Sequence, residues 1–322
     1  MRKNYKKIIL TFLPIILGVF LIWFPLSKLS SSDFETIKNA FKTANYYWIL
    51  LSLLLGFISH ASRAYRWKFL LEPLGYKPRF FNSLLAVFAG YLVNLGIPRA
   101  GEFTRAASIS KYENIPFEKA VGTIVAERIA DVFMLMLVIF IALLYQFELI
   151  WNLIQQRIPN NPVQLGLYFI ALLFLLLLIY IFLKKFNSAL FYKIKIIVKG
   201  LIEGGLSILK MKNKGAFIFH TLLIWSLYIL TFYIASFALP ETSNLSIGAI
   251  LTGFIVGSLS IAATNGGIGT YPLGVQQALI IYGISSLPAL TFGWIIWTAQ
   301  TLGIILFGGI SFLLLPIYNN KK

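Results

Sequence analysis

Apolar runs long enough to cross a bilayer recur along this 322-residue chain, and they constrain its fold more than any motif does. A spanning helix needs about 20 mostly apolar residues. Only helices and closed barrels satisfy every backbone polar group inside lipid. Runs of helix length lie near residues 8–26, 46–70, 120–147, 163–184, 216–239 and 288–316. Two further stretches do not fit as full spans. Residues 80–97 end at GIPRAG, and 247–285 is interrupted by TNGGIGTYP. Each is expected to enter the membrane and turn back, because irregular backbone at that depth survives only against protein or a wet cavity. The expected fold is an all-α polytopic membrane helix bundle: six full spans plus two re-entrant helical hairpins.

Composition agrees. Hydrophobic residues make up 58% of the chain and charged residues 12%, against roughly a quarter charged in soluble domains. The N-terminal MRKNYKK and the apolar stretch behind it imitate a secretion signal, but that stretch exceeds the usual 7 to 15 residues or so and lacks a small-residue cleavage site. An uncleaved first span is expected, and the spans leave no soluble domain. Cysteine is absent and the two histidines, His60 and His220, are far apart. No disulfide framework, thiol nucleophile or zinc-ligand spacing arises, and neither a metal nor a cofactor is expected.

The net charge of +17 invites a nucleic-acid reading, but lysines and arginines flank apolar spans, where the positive-inside effect puts them. No nucleic-acid partner is expected. With the N-terminus inside and two re-entrant segments, 24 of the 28 basic residues fall on the inner side; only Lys28, Lys38, Lys42 and Arg157 lie outside. A multi-pass protein of the cell (cytoplasmic) membrane follows, with both termini cytoplasmic. If instead 80–97 and 247–263 are ordinary crossings, the block from Arg99 to Arg128 moves outside.

The same topology divides the chain near residue 150. The halves, 1–150 and 151–322, each read span, amphipathic connector, span, re-entrant hairpin, span, and they run in opposite directions through one transmembrane domain. The connectors are DFETIKNAFKTAN and FYKIKIIVKGLIEGGLSILKMKNK, which mix apolar and charged residues at helical spacing. Gly/Pro interruptions at corresponding places of inverted halves point to a transporter's binding site.

Polar residues at these interruptions are the candidate substrate-binding groups. In NLGIPRAGEFTR, Pro98 cannot donate to a helix ladder and the glycines permit a turn. A helix restarting near Ala100 puts Glu102 in its first turn, three residues from Arg105 and close enough to pair with it. Arg99 then sits at the break, beside freed N–H groups that favour an anion. Snorkelling of Arg99 and Arg105 to headgroups is the plainer reading. In AERIADVF, Glu127 and Asp131 share a helical face and Arg128 lies beside them, so internal ion pairing is favoured over metal or a proton relay. Arg63 and Arg66, with Trp67 and Lys68, read as an interfacial anchor and also as a second pair of guanidiniums suited to phosphate. His60 is expected to hydrogen-bond a neighbouring helix. The second break is uncharged: Asn265, Gly266, Gly267, Gly269 and Tyr271 with neighbouring threonines and glutamines suit a sugar, glycerol or amide headgroup. It does not match a phosphate-binding loop, and no catalytic serine–histidine–acid grouping is apparent.

IPRAGEFTR, then ERIAD, then NGGIGTY with YGI behind it, in that order, resemble the lysylphosphatidylglycerol synthase transmembrane-region family, a flippase-like group of integral membrane proteins also called UPF0104-type. The likeness extends over nearly the whole chain. It implies that Arg99, Glu102 and Arg105 fall on the first family motif, Glu127, Arg128 and Asp131 on the second, and Gly266, Gly267 and Gly269 on the third. The third motif departs from the pattern, with Asn265 where related sequences often have proline and Tyr271-Pro272 where they often have glutamate. Bifunctional members carry a soluble domain using aminoacyl-tRNA; that domain is missing here, so synthase activity is not expected. The resemblance implies movement of a lipid, or of a lipid-linked anionic headgroup, between leaflets. Two alternatives remain at this point: a noncatalytic membrane subunit presenting lipid to a separate enzyme, and a membrane-embedded transferase with a lipid donor. Expected partners are an anionic phospholipid or lipid-linked molecule and the membrane itself, with a homo-oligomer or a separate membrane enzyme left open.

Overall fold

A computed structural model describes residues 30–148 and 211–320, apart from Pro98 and Asn265, together with Ser27, Trp151, Ile170 and Phe174. The expected span at 8–26, that at 163–184 apart from Ile170 and Phe174, and nearly all of the second amphipathic connector lie outside the described residues. Those described form nine α-helices and no strand. The chain divides into two compact units, one of residues 1–138 with 212–322 and one of residues 139–211. The charged site described below lies in the first unit.

The first amphipathic connector folds as α1, Ser31–Thr43. Ser30 and Asp33 form a reciprocal capping box at its start, satisfying two otherwise orphaned N–H groups. The Ser30 hydroxyl and N–H hold the Asp33 carboxyl below the usual carboxylate range. Next comes α2, Tyr46–Leu71, whose first turn is capped by Asn45 accepting from the Tyr47 N–H. Three residues, Glu72–Leu74, extend it as a 3₁₀ turn that ends at Gly75.

The first interruption is a helical hairpin. α3, Phe80–Gly96, stops at Ile97 in extended conformation, the backbone that a residue before proline is driven to adopt. Arg99 then turns the chain in the left-handed region, φ 61°, and α4, Ala100–Glu113, runs back alongside α3. Asn94 Oδ1 accepts from the Gly101 N–H at 2.7 Å, capping α4 from the facing helix. The approach is so close that a Cβ on Gly101 would overlap the Gly90 carbonyl and the Asn94 side chain. At the far end of the hairpin Arg79, Asn82, Glu113 and Asn319 form a hydrogen-bonded cluster.

α5, Phe117–Tyr145, follows, and beyond the undescribed stretch comes α6, Lys214–Ser236. α6 packs against α2. The second interruption is again a hairpin: α7, Ile247–Ala263, and α8, Thr270–Ile280. Between them Gly266, Gly267 and Gly269 all have positive φ, a backbone only glycine adopts without cost. Thr264 and Thr270 hydrogen-bond across the break at 2.7 Å, and Thr252 meets Tyr282 at its base. α9, Ser286–Asn319, closes the order. Its Gly293 lies against the Pro272 backbone and its Gly308 against Leu92 and the Phe88 carbonyl, so α9 contacts both hairpins.

Four of these helices, residues 46–74 with the 3₁₀ turn, 117–145, 214–236 and 286–319, are long and apolar enough to cross a membrane. They coincide with four of the six expected spans. Phe57, Phe88 and Phe307 stack where α2, α3 and α9 meet.

Substituting Gly101→Ala forces the hairpin apart and is expected to cost about 1 to 3 kcal/mol, the range for overpacking a filled site. Gly309→Ala, on α9 with open space around its Cα, is expected to be neutral or slightly stabilising through helix propensity. Thermal unfolding of the detergent-purified variants checks the contrast; equal midpoints would contradict the close approach.

Candidate functional site

Charged side chains inside α2, α4 and α5 converge on one point. Counting 1.5 Å per residue, Arg63 lies about 12 Å from the C-terminal end of α2, and Glu127 about 15 Å from the start of α5. Neither is near water: Arg63, Arg66, Arg105, Glu127 and Asp131 are 4, 0, 6, 0 and 9% exposed. Charges so placed must be paired, since removing an ion from water costs several kcal/mol even after relaxation.

The pairing centres on Glu127. Its Oε1 accepts from Arg63 Nη1 at 2.6 Å, and Arg66 Nη2 lies 3.2 Å away. Arg105 straddles both oxygens, Nη1 to Oε1 at 3.2 Å and Nη2 to Oε2 at 2.7 Å, a forked geometry that only guanidinium provides. Asp131, one turn along α5, accepts from Arg63 at 2.8 Å and Arg66 at 3.1 Å. Thr221 and Tyr228 of α6 complete the set, accepting from Arg66 and Arg63. Trp67 donates to Thr123 at 2.9 Å and offers its ring face to Arg105, 3.9 Å from centroid to guanidinium carbon. Three guanidiniums therefore face two carboxylates, leaving one excess positive charge.

A second pair lies at the edge. Arg128 Nη2 donates to Glu102 Oε1 at 2.6 Å, with the two side chains 46% and 29% exposed. Glu102, Arg105 and Arg128, together with Tyr91, Asn94 and the two contact glycines of the first hairpin, line a small cavity with room for about one water molecule. Glu102 Oε2 is buried without a hydrogen-bond partner among the described residues.

Several sequence expectations change in this light. Glu102 and Arg105 do not pair with each other; each reaches across to α5, Glu102 to Arg128 and Arg105 to Glu127. The partners of Asp131 are Arg63 and Arg66. Arg63, Arg66 and Trp67 are not an interfacial anchor, because all three are buried. His60 packs among the rings of Phe88, Tyr91 and Tyr228, and its Nδ1 has no hydrogen-bond partner among the described residues. The hydrogen-bonded histidine is His220, to Ser62. Arg99 is exposed at the tip of the first hairpin. Thr221, Tyr228, Tyr91, Asn94 and Thr123 escaped the sequence reading. Thr221 and Tyr228, seven apart on one face of α6, were the available signal.

The second break stands apart from the charge cluster. Tyr271 is buried against Gly257 and Gly267, and Trp297 donates to the Gly266 carbonyl at 2.8 Å. Asn265 lies outside the described residues. The break meets the first hairpin where Gly266 lies against Leu95, a contact tight enough to exclude a Cβ.

Replacing Glu127 by glutamine leaves three buried guanidiniums facing Asp131 alone. The expected loss is about 3 to 5 kcal/mol, as for one broken partner of a buried pair. Glu102→Gln, in a half-exposed pair, is expected to change stability by about 1 kcal/mol or less. Monodisperse protein remaining after a heating series, read by size exclusion, separates the two; equal losses would remove Glu127 from its central place.

Comparison with known proteins places this arrangement in a family. The chain aligns with a UPF0104 membrane protein of Methanocaldococcus jannaschii, 32% identical over 111 residues, which is 34% of this chain and 33% of the relative. A UPF0104 membrane protein of Methanothermobacter thermautotrophicus is 27% identical over 132 residues, 40% of this chain and 36% of the relative. The chain thus spans about a third of the length of each of these relatives. No solved structure matches it. The family described as Lysylphosphatidylglycerol synthase TM region matches residues 11–309, nearly the whole chain and all of the charge cluster, and this integral, multi-pass membrane protein belongs to that family.

Proposed function

We propose that the protein binds the anionic headgroup of a lipid, or of a lipid-linked molecule, at the first helix break and moves it between the leaflets. The observation that carries this reading is the excess positive charge behind the cavity lined by Glu102, Arg105 and Arg128. A buried cluster with unbalanced guanidinium charge attracts an anion, and in a low-dielectric site that attraction is weakly screened. Family membership supports a lipid as the anion's carrier, since the family takes its name from a protein that modifies a phospholipid.

Contact falls to the accessible cations. Both terminal nitrogens of Arg105 are held by Glu127, so Arg105 acts as a fixed source of positive potential. Arg128 and Arg99, exposed at the mouth and at the tip of the hairpin, meet the phosphate. The neutral groups of the second break, Thr264, Asn265, Thr270 and the glycine backbone, take the uncharged part of the headgroup. Arg63, Arg66 and Asp131 hold the cluster in place.

The topology of this reading is six spans, two re-entrant hairpins and two inverted halves meeting near residue 150, with both termini cytoplasmic. Helix lengths support re-entry. α3 and α7 have 17 residues each, about 26 Å of helix, short of the roughly 30 Å hydrocarbon core. α4 and α8 are shorter still. The contact of Leu95 with Gly266 is what two hairpins entering from opposite faces would make.

The test is transbilayer movement in vesicles containing the purified protein and a fluorescent phosphatidylglycerol, followed by quenching from outside. Arg99→Gln/Arg128→Gln is expected to slow movement by about tenfold or more, the loss of a charge-assisted hydrogen bond worth about 1.5 to 3 kcal/mol. An unchanged rate overturns the assignment. Binding of phosphatidylglycerol without any movement would make the protein a subunit that presents lipid to a separate enzyme.

A further inference from the structure

α4 and α5 are joined by two arginine–carboxylate pairs that differ in their access to solvent. Arg105–Glu127 is sealed, with side chains 7% and 1% exposed, whereas Arg128–Glu102 is 46% and 29% exposed. A sealed pair cannot exchange partners without stranding a charge. A half-exposed pair contributes about 1 kcal/mol or less and exchanges readily. Carboxylate and phosphate offer arginine the same pair of acceptor oxygens. Glu102 therefore occupies, on Arg128, the position an anionic ligand would take.

Resting on the headgroup-binding reading above, the geometry points to Glu102 as a displaceable internal counter-ion: it neutralises Arg128 in the empty protein and gives way to the phosphate of the ligand. Two features lower the cost of that exchange. Glu102 is the third residue of α4, so its carboxylate stays in the first turn of a helix when it leaves Arg128, where the unpaired N–H groups favour negative charge. Its second oxygen, Oε2, is buried without a hydrogen-bond partner among the described residues, so the carboxylate is only half satisfied where it stands. Arg105, one turn further along α4, is tied to Glu127 by both terminal nitrogens and does not compete for the released carboxylate. No covalent step is involved; one anion replaces another on a single guanidinium. While the site is empty the exchange keeps Arg128 itself neutralised, which disfavours its occupation by a headgroup too weakly charged to displace the carboxylate.

Titration calorimetry on the full chain in neutral detergent tests this, with dioctanoyl-phosphatidylglycerol, inorganic phosphate and dioctanoyl-phosphatidylcholine as probes. Glu102→Gln removes the competitor and is expected to tighten phosphatidylglycerol binding about threefold to tenfold, because the competent fraction of Arg128 rises. Phosphatidylcholine, with no net charge, should show no gain. Glu102→Asp keeps the charge but withdraws it by one methylene, and an intermediate gain is expected; it decides the matter if Glu102→Gln does not purify as a monodisperse species. Adding Arg128→Gln should abolish the gain. A gain shared by inorganic phosphate assigns the exchange to phosphate itself, and a gain confined to phosphatidylglycerol assigns it to the lipid. If the wild type binds phosphatidylglycerol and neither Glu102 variant binds it more tightly, the counter-ion role is wrong and the headgroup reading stands. If neither wild type nor variants bind phosphatidylglycerol or phosphate, both fall.

Discussion

Glu127 is the residue on which the mutual placement of α2, α4 and α5 depends. Three guanidiniums from two other helices, Arg63 and Arg66 of α2 and Arg105 of α4, converge on its carboxylate. In lipid, apolar helix faces do not select partners, because the tails around them are as apolar as the helices. A buried charge does select, since it is tolerated only where its partners meet it. Glu127 therefore sets both the rotation of α5 and the depth at which α2 and α4 lie against it. Asp131 repeats the constraint one turn along, and Thr221 and Tyr228 extend it to α6. Such a network is weak evidence for net stability, because desolvation offsets most of the Coulomb gain. Its effect is on which arrangement forms.

The helix break near Pro98 follows from the same requirement. Arg105 reaches Glu127 because the chain turns back after α3 and runs along it. Three local features produce that turn: Ile97 is extended ahead of proline, Arg99 takes a left-handed conformation, and Asn94 caps the Gly101 N–H across the hairpin. Gly90 and Gly101 then let the two backbones approach to a distance that a methyl group would forbid. The arginine of the break and the carboxylate of the span are thus parts of one construction, with the glycines as the geometric condition for the ion pair.

Much of this was legible in the residues alone, and the boundary is instructive. Spans are legible because the bilayer imposes a length: the apolar runs at 46–70, 120–147, 216–239 and 288–316 each became one helix within a few residues. Breaks are legible because proline and clustered glycine act locally, at 97–99 and 264–269. The partners of the charges were not. Helical spacing gives only i+3 and i+4 neighbours, which suggested Glu102 with Arg105 and Arg128 with Asp131. The pairs that form join residues 22 to 68 positions apart, and sequence spacing carries no information about which faces of α2, α4 and α5 meet. Trp67 illustrates the same limit. Beside Arg66 and Lys68 it reads as a headgroup anchor, yet it is buried beneath Arg105, because the span continues past it to Leu71.

Division of labour among the arginines follows from solvent access. Arg63, Arg66 and Arg105 carry a charge that is sealed and unbalanced by one unit; it cannot bind a ligand directly, but it raises the potential at every accessible atom nearby. Arg128 is adjacent in sequence to Glu127, so it leaves α5 from the same turn toward a different face, and it emerges where α4 begins. Its neighbour on that face is Glu102, with a helix N-terminus behind it. An anion arriving there meets a field it did not have to organise, and a cation whose present partner is half in water. Were the exposures reversed, with Arg128 sealed and Arg105 open, the same seven charges would make a rigid strut with no vacancy to offer. The proposed binding of an anion therefore depends less on how many cations the site holds than on which one of them water can reach.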